Sequence, residues 1–261
     1  MDSEAPNPRA LATREEVAAL ARWLFGPEAC SGSFVSHVTA LAHRPGGEWI
    51  NILVGENAPK SSLDTFALRW SRARAAAILI TGQILRAEPE LRYELDESPD
   101  SIVFSAYREI DRLLDSPPIL LVLSRGELDL AHPALHGWAR PCVYTSEVGG
   151  ERLARAALPV IVDPHADARA AVRWLRQNVR GPISIEAGPS VALPLYEELP
   201  LVDELLLSIF EGPVADAALG RRVLLEQALE AGWVLSHERR VVEATGPWRF
   251  RRYVRSMKAG A

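Results

Sequence analysis

The sequence predicts an α/β fold: a three-layer sandwich whose central, mostly parallel sheet is closed by a C-terminal antiparallel hairpin. Three observations predict it. From Ser61 onward, helical periodicities alternate with short apolar runs, the order that crossover connections impose on parallel strands. Two of those runs, ILLVL at 119–123 and LPVIV at 158–162, contain no charged position, so they predict burial on both sheet faces. After Trp233 the pattern changes to two adjoining β-rich segments.

The elements follow in order. Residues 1–12 carry Pro, Asn, Ala and charge without periodicity and are expected to form a flexible leader to a single domain over 13–261. Thr13 and Glu16 make a capping box, and Val17, Leu20, Ala21 and Leu24 then recur at helical spacing until Gly26-Pro27 stops the helix. Residues 33–41 and 49–54 read as strands joined through Pro45-Gly46-Gly47, a hairpin. Leu63, Phe66, Ala67 and Trp70 form a helix face ahead of a strand over 76–81. Tyr107, Ile110, Leu113 and Leu114 do the same ahead of 119–124, and Ala171, Leu175 and Val179 ahead of 183–186. Between Arg86 and Ser116, the charged stretch ELRYELDESPDS reads as a surface insertion. Segments 233–242 and 248–255 pair about Ala244-Thr245-Gly246-Pro247. Alternation in the last of these predicts a solvated basic face, from Arg249, Arg251, Arg252 and Arg255, and an aromatic core face with Phe250 and Tyr253.

Composition narrows the function classes. The 48% hydrophobic content of 261 residues fills a substantial core, and a net charge of -5 supplies no broad basic field for nucleic acid or an anionic membrane. No run approaches the roughly 18 apolar residues that span a bilayer. The two cysteines, Cys30 and Cys142, fit neither a disulfide framework nor a thiolate metal site, and the expected compartment is the cytoplasm. His132 and His136 flank Pro133 without a third ligand nearby, so they read as solvated loop residues and no metal is expected. Asp203 and Glu204, at the entry to a buried strand, read as turn caps. Trp70 and Trp174 fit apolar helix faces, whereas Trp138 and Trp248 sit near turns suited to a pocket or a dimer contact.

Three strand ends are candidates for a ligand site, because open α/β sheets bind ligands where strands end and loops begin. They are Ile80-Thr81-Gly82-Gln83, Val143-Tyr144-Thr145-Ser146 and Glu186-Ala187-Gly188-Pro189-Ser190. In the third, a glycine after a buried strand lets backbone approach a ligand, and the following helix start offers unpaired N–H groups suited to phosphate. The same Gly and Ser residues equally suit helix caps.

Taken in order, SGSFVSHVTALA, SSLDTFALRWSRARAAAILITGQILRAEP, PPILLVLSRGELDL, CVYTSE, ISIEAGPSVALPLYEELPLVDELLLSIF and WRFRRYV resemble the reductase domain of riboflavin biosynthesis, of dihydrofolate-reductase-like fold. The resemblance spans about residues 31–255, and its most specific part is EAGPS followed by LVDELLLSI. It implies an NADPH-dependent, homodimeric enzyme that reduces the ribosyl group of a pyrimidine to a ribityl chain. It implies cofactor contacts at Thr81, Gly82, Gln83, Arg86, Thr145, Ser146, Glu186, Ala187, Gly188 and Ser190. Glu186 is expected to hold its turn by accepting backbone N–H groups. Ser36 and Asp64 are implied on the substrate side, with His37 and Thr39 at the catalytic strand. Thr39 stands where the family carries an acidic group, Ile84 lies in a cofactor loop lacking the family's second glycine, and Ala187 replaces the first of its paired glycines. These departures leave two readings, a reductase and a catalytically degenerate dimeric binding or assembly module; a dihydrofolate-type reductase is a third.

Overall fold

The structure, a computed structural model, describes residues 7–30, 35–44, 47–53, 55–95, 102–112, 114, 116–197, 199–230 and 232–256. Helix α1 (Arg14–Phe25) begins on the predicted capping box: the Thr13 hydroxyl accepts from the Glu16 N–H, and the Glu16 carboxylate accepts from the Thr13 N–H at 3.1 Å. Such a cap contributes about 1 kcal/mol. Gly26 ends the helix at φ 89°, a conformation without steric cost only for glycine. Strands β1 (Val35–His43) and β2 (Trp49–Ile52) pair antiparallel, with Leu41 opposite Asn51, as the hairpin reading expects. Then come α2 (Ser62–Ala73), β3 (Ala77–Thr81), α3 (Gly82–Ala87) and α4 (Val103–Ala106), which runs into a π-helical turn, Tyr107–Asp111. Strand β4 (Ile119–Leu123) is followed by β5 (Arg140–Thr145), α5 (Glu147–Arg152), β6 (Val160–Val162) and α6 (Ala168–Asn178). The chain continues through β7 (Ile183–Ile185), α7 (Pro189–Ala192), β8 (Glu204–Phe210), β9 (Leu219–Arg222) and α8 (Leu225–Glu230). It closes with the hairpin β10 (Trp233–Glu243) and β11 (Gly246–Arg255).

All these strands belong to one sheet, in the order β10-β11-β8-β1-β7-β3-β4-β5-β6, with β2 joined to β1 and β9 to β2. Neighbours from β8 through β6 run parallel, and the terminal hairpin adds antiparallel to β8. Helices cover both faces. On one face, α6, α7 and α8 pack over Leu79, Leu121, Ile185 and Leu205. On the other, α1 and α2 cover Val38, Leu206 and Phe250, while Leu85 of α3 joins Ile80, Val122 and Val143. Helix α2 buries Leu63 and Phe66, each worth roughly 2 kcal/mol relative to exposure. The predicted three-layer sandwich is the observed one.

Several expectations are corrected. The LPVIV run forms the sheet's edge strand β6, whose residues are half-buried or exposed, because nothing pairs beyond it among the described residues. Ile110 is exposed, since the helix expected there is only a short segment with a π-helical turn. The supposed surface insertion buries Tyr93 and Leu95 in the core. Leu11, placed in the leader, packs against the cluster under α1 and α2. Trp248 is core rather than pocket or dimer contact: it stacks on Phe250 and donates its Nε1–H to the Thr245 hydroxyl at 3.3 Å. Arg252 is not solvated but lies buried on the Trp248 face, bonded to Glu204 at 2.7 Å, while Tyr253 lies on the Arg249 and Arg251 face. Strand β9 and helix α8 had no sequence reading. The expected strand residues 33–34, the turn at 45–46, Val54, Leu113, the 96–101 part of the insertion and leader residues 1–6 lie outside the described residues.

Candidate active site

The sheet has a break at the carboxyl end of β7. This strand is three residues long, and its last register pairs are His37 with Ile185 on one side and Leu79 with Ile185 on the other. Strand β1 continues to His43 and β3 to Thr81, but β2 rejoins β1 only at Leu41. Among the described residues, Val38, Thr39 and Ala40 therefore have no strand partner on that side. The Glu186-Ala187-Gly188 turn crosses the opening. Here the carboxyl ends of neighbouring strands part, the position at which open α/β sheets take ligands.

The turn is held from both sheet faces. On the α2 face Arg72 donates to the Glu186 carboxylate through Nε, at 3.0 and 3.1 Å, and through Nη2, at 2.7 Å. Tyr93 donates its O–H to the same carboxylate at 3.2 Å, and the Arg72 guanidinium lies 4.3 Å from the Tyr93 ring centre. Glu186 thus accepts from side chains, not from the backbone N–H groups of its own turn, because its side chain points back beneath α2. Burial and the adjacent Glu186 charge push the Tyr93 phenol well above its ordinary value. On the opposite face Ala187 is buried in the apolar core, and its carbonyl accepts from His37 Nε2 at 3.1 Å. His37 is fully buried, its Nδ1 lies 2.7 Å from the Tyr196 hydroxyl, and burial pushes its pKa down to about 4. It is a hydrogen-bonded core histidine, neutral at neutral pH.

Gly188 is the first residue past this clamp. Among the described residues, a Cβ built on it would meet nothing within 4 Å, so the turn has room there. Among the described residues the Gly188 and Ser190 N–H groups have no protein acceptor, and Ser190 is exposed. These donors suit a phosphate ester. Pro189 removes one donor from the helix start, and α7 is a single turn, so the helix dipole adds little.

The other sequence-predicted residues divide. Thr39 lies in the break and is 9% exposed. Thr81 borders it, but its hydroxyl caps α3 by accepting from the Ile84 N–H at 3.4 Å. Gly82 is packed so that a Cβ would lie 3.0 Å from Ser124 and Leu128, whereas Gln83 and Arg86 are exposed, Arg86 donating to the Glu127 carbonyl at 2.9 Å. Thr145 does not open onto the break: its hydroxyl is buried, has no hydrogen-bond partner among the described residues, and lies 1.9 Å from where a Gly149 Cβ would stand. Ser146 caps α5 by accepting from the Gly149 N–H at 3.4 Å. Asp64 sits in the first turn of α2, near Ser208, whose strand partner is Ala40. Burial raises its pKa, Ser208 works against that and nearby Glu243 adds to it.

Ser36 is not beside the break. It belongs to a buried charge cluster near the amino ends of β1 and β8, donating to Glu204 at 2.6 Å and accepting from Arg74 at 2.7 Å. Arg74 and Arg252 both pair with Glu204, so Glu204 anchors this cluster and is not a turn cap. Asp203 does act as a cap, accepting from the Val35 N–H at 3.1 Å. His132, expected in solvent, is buried: it accepts from the Ala134 N–H at 3.1 Å and contacts the Glu88 carbonyl at 2.9 Å. Among the described residues no three His, Cys, Asp or Glu side chains are placed to hold a metal ion, and no helix is long and apolar enough to cross a membrane. The concavity of about 80 Å³ over α2, lined by Arg9, Ser62, Thr65 and Arg69, shares none of these residues with the break.

Sequence reasoning missed Arg72, Tyr93 and Tyr196. For Tyr93 a signal existed: Leu91, Tyr93 and Leu95 alternate at period two inside the charged stretch, the mark of an extended segment packed on one side. Arg72 and Tyr196 lacked any local signal.

No protein-family model matches the sequence, nor does any curated protein sequence. Solved structures do match. The chain superposes on a pyrimidine reductase-like protein from Corynebacterium diphtheriae with a TM-score of 0.62 and 22% identity, covering 94% of this chain and 99% of that one. Two forms of Acinetobacter baumannii RibD match with TM-scores of 0.53 at 14% and 15% identity. Each covers 93% of this chain, which spans only 64% and 63% of their length. At the level of the fold, the resemblance read from EAGPS and LVDELLLSI is borne out: this chain has the dihydrofolate-reductase-like α/β fold of the pyrimidine reductase-like protein and RibD.

Proposed function

We propose that the chain is an NADPH-dependent reductase of the riboflavin-biosynthesis type, acting on the ribosyl group of a pyrimidine or a related heterocycle. The observation that carries this reading is the break beside β7: among the described residues, the edge of β1 at 38–40 has no strand partner on the β7 side, the Gly188 and Ser190 N–H groups have no acceptor, and a Gly188 Cβ would meet nothing within 4 Å. The donor set fits a dinucleotide: Gly188 and Ser190 would hold the pyrophosphate, Gln83 and Arg86 the neighbouring rim, and the β1 backbone at 38–40 a planar amide-bearing ring. NADPH, when bound, supplies the hydride. The protein's part is to align two ligands and exclude water. Thr39 brings a hydroxyl and no carboxylate to the break, and Glu186 is neutralised by Arg72, so Asp64, whose carboxyl holds its proton more readily than an exposed aspartate, is the acid this reading assigns to the substrate side. A cytoplasmic homodimer with a small-molecule substrate belongs to the same proposal.

Titration with NADPH, followed by nucleotide fluorescence, tests it. The chain binds the cofactor, and Gly188→Trp, which fills the open space, abolishes binding while leaving thermal unfolding close to wild type. Unchanged affinity in that variant would place the site on another turn. The degenerate-module reading is favoured by a specific observation: Thr39, Thr81 and Glu186 keep only 7–9% of their surface exposed, and the Thr145 hydroxyl is sealed beneath Gly149. Hydride transfer to a ribosylaminopyrimidine removes that alternative.

A further inference from the structure

We propose that His37 is a positioning residue which, together with Tyr196, fixes the Ala187 carbonyl and so presets the turn that carries the cofactor's pyrophosphate. The inference rests on the reductase reading for what the turn holds, but not for how the turn is held. Its starting point is the sheet register. Pairing of β1 with β7 ends at His37 and Ile185, so no strand ladder ties the next residues, Glu186 to Gly188, to β1. At that position the side chain takes over from the backbone: His37 Nε2 lies 3.1 Å from the Ala187 carbonyl oxygen.

The chemistry of the two contacts settles the tautomer. A carbonyl only accepts, so Nε2 carries the proton. The ring is fully buried without a neutralising carboxylate, so it is neutral, and Nδ1 is left as an acceptor. The Tyr196 hydroxyl, 2.7 Å from Nδ1, therefore donates. Tyr196 ends the 3-10 turn Leu193–Tyr196 that directly follows α7, so the chain closes a circuit from Ala187 through α7 and Tyr196 to His37 and back to Ala187. Trp233 also packs against the Tyr196 ring, with ring centres 5.1 Å apart. Glu186 is held from the other face by Arg72 and Tyr93. Gly188 then emerges from a support fixed on both faces. Partners that fix a histidine's tautomer commonly govern the group on its other nitrogen.

The test separates the tautomer from mere packing. In wild type, 15N NMR of the His37 ring reports an Nε2–H tautomer, and in Tyr196→Phe, which removes only the hydroxyl, the ring shifts toward a mixture with Nδ1–H. NADPH affinity falls about tenfold in Tyr196→Phe and in His37→Leu, whereas His37→Gln, whose amide nitrogen reaches the same carbonyl, stays within about threefold of wild type. An Nδ1–H tautomer in wild type, or His37→Leu folded and binding NADPH as tightly as wild type, overturns the proposal. If wild type binds no NADPH, the reductase reading fails. The positioning role is then decided by the tautomer and by amide exchange at Gly188, which must accelerate in His37→Leu and not in His37→Gln.

Discussion

Replacing Arg72 by methionine removes three hydrogen bonds to Glu186 and leaves its carboxylate, 4% exposed, with one remaining donor, the Tyr93 hydroxyl at 3.2 Å. Stripping a partner from a buried ion pair costs about 3–5 kcal/mol. Here the retained Tyr93 bond and the 12% exposure of Arg72 set the expectation at the lower end, about 3 kcal/mol. For a chain of this size each kcal/mol lowers the Tm by about 2–4 °C, so Arg72→Met melts roughly 6–12 °C below wild type. Calorimetry or thermal circular dichroism at neutral pH reads this directly. The double variant Arg72→Met, Glu186→Gln, in which no buried charge is left unpaired, is more stable than Arg72→Met alone, and the cycle gives a coupling above about 1 kcal/mol. A Tm within about 2 °C of wild type for Arg72→Met, or strictly additive single changes, would refute the claim that this pair holds the turn.

Two further outcomes follow from the buried polar groups. Thr145→Val removes a buried hydroxyl that has no partner while keeping the side chain's shape, so urea unfolding should register a gain of about 1 kcal/mol; a loss of NADPH affinity in the same variant would instead mean that Thr145 reaches the ligand. Glu204→Gln destabilises the fold with a defined pH dependence. Burial alone would raise the Glu204 pKa, but Arg74, Arg252 and the Ser36 hydroxyl outweigh it and hold the carboxyl below its ordinary range. Its stabilisation is therefore complete above the unfolded value of about 4.3 and is lost as pH falls through the lower folded value. The stability gap between wild type and Glu204→Gln is widest above about pH 5 and narrows below it; a gap that widens on acidification would contradict the cluster's assignment.

Much of the scaffold was legible because its causes are local. The Thr13 and Glu16 box, the Leu63, Phe66 and Trp70 face and the ILLVL run each express a period or a cap within a few residues, and each element formed where those signals lie. LPVIV was misjudged because apolar content does not say whether a strand has a neighbour on both sides. Arg252 was misjudged because alternation assigns a face but not a partner, and Glu204 on the adjacent strand makes the buried face hospitable to a guanidinium.

At the candidate site, the sequence alone determined that a strand over about residues 183–186 is followed by a glycine turn and a helix start, since an apolar run, Gly188 and Pro189 are properties of contiguous residues; the structure ends the strand at Ile185. Only the tertiary structure decided what those residues do. Glu186 faces Arg72 and Tyr93 across 114 and 93 positions of chain, and His37 meets Tyr196 and Ala187 across 159 and 150. No local period encodes such pairings. They arise because β7 is inserted between β1 and β3, which brings distant side chains to both faces of one short turn, and burial then obliges each polar group to find its partner there.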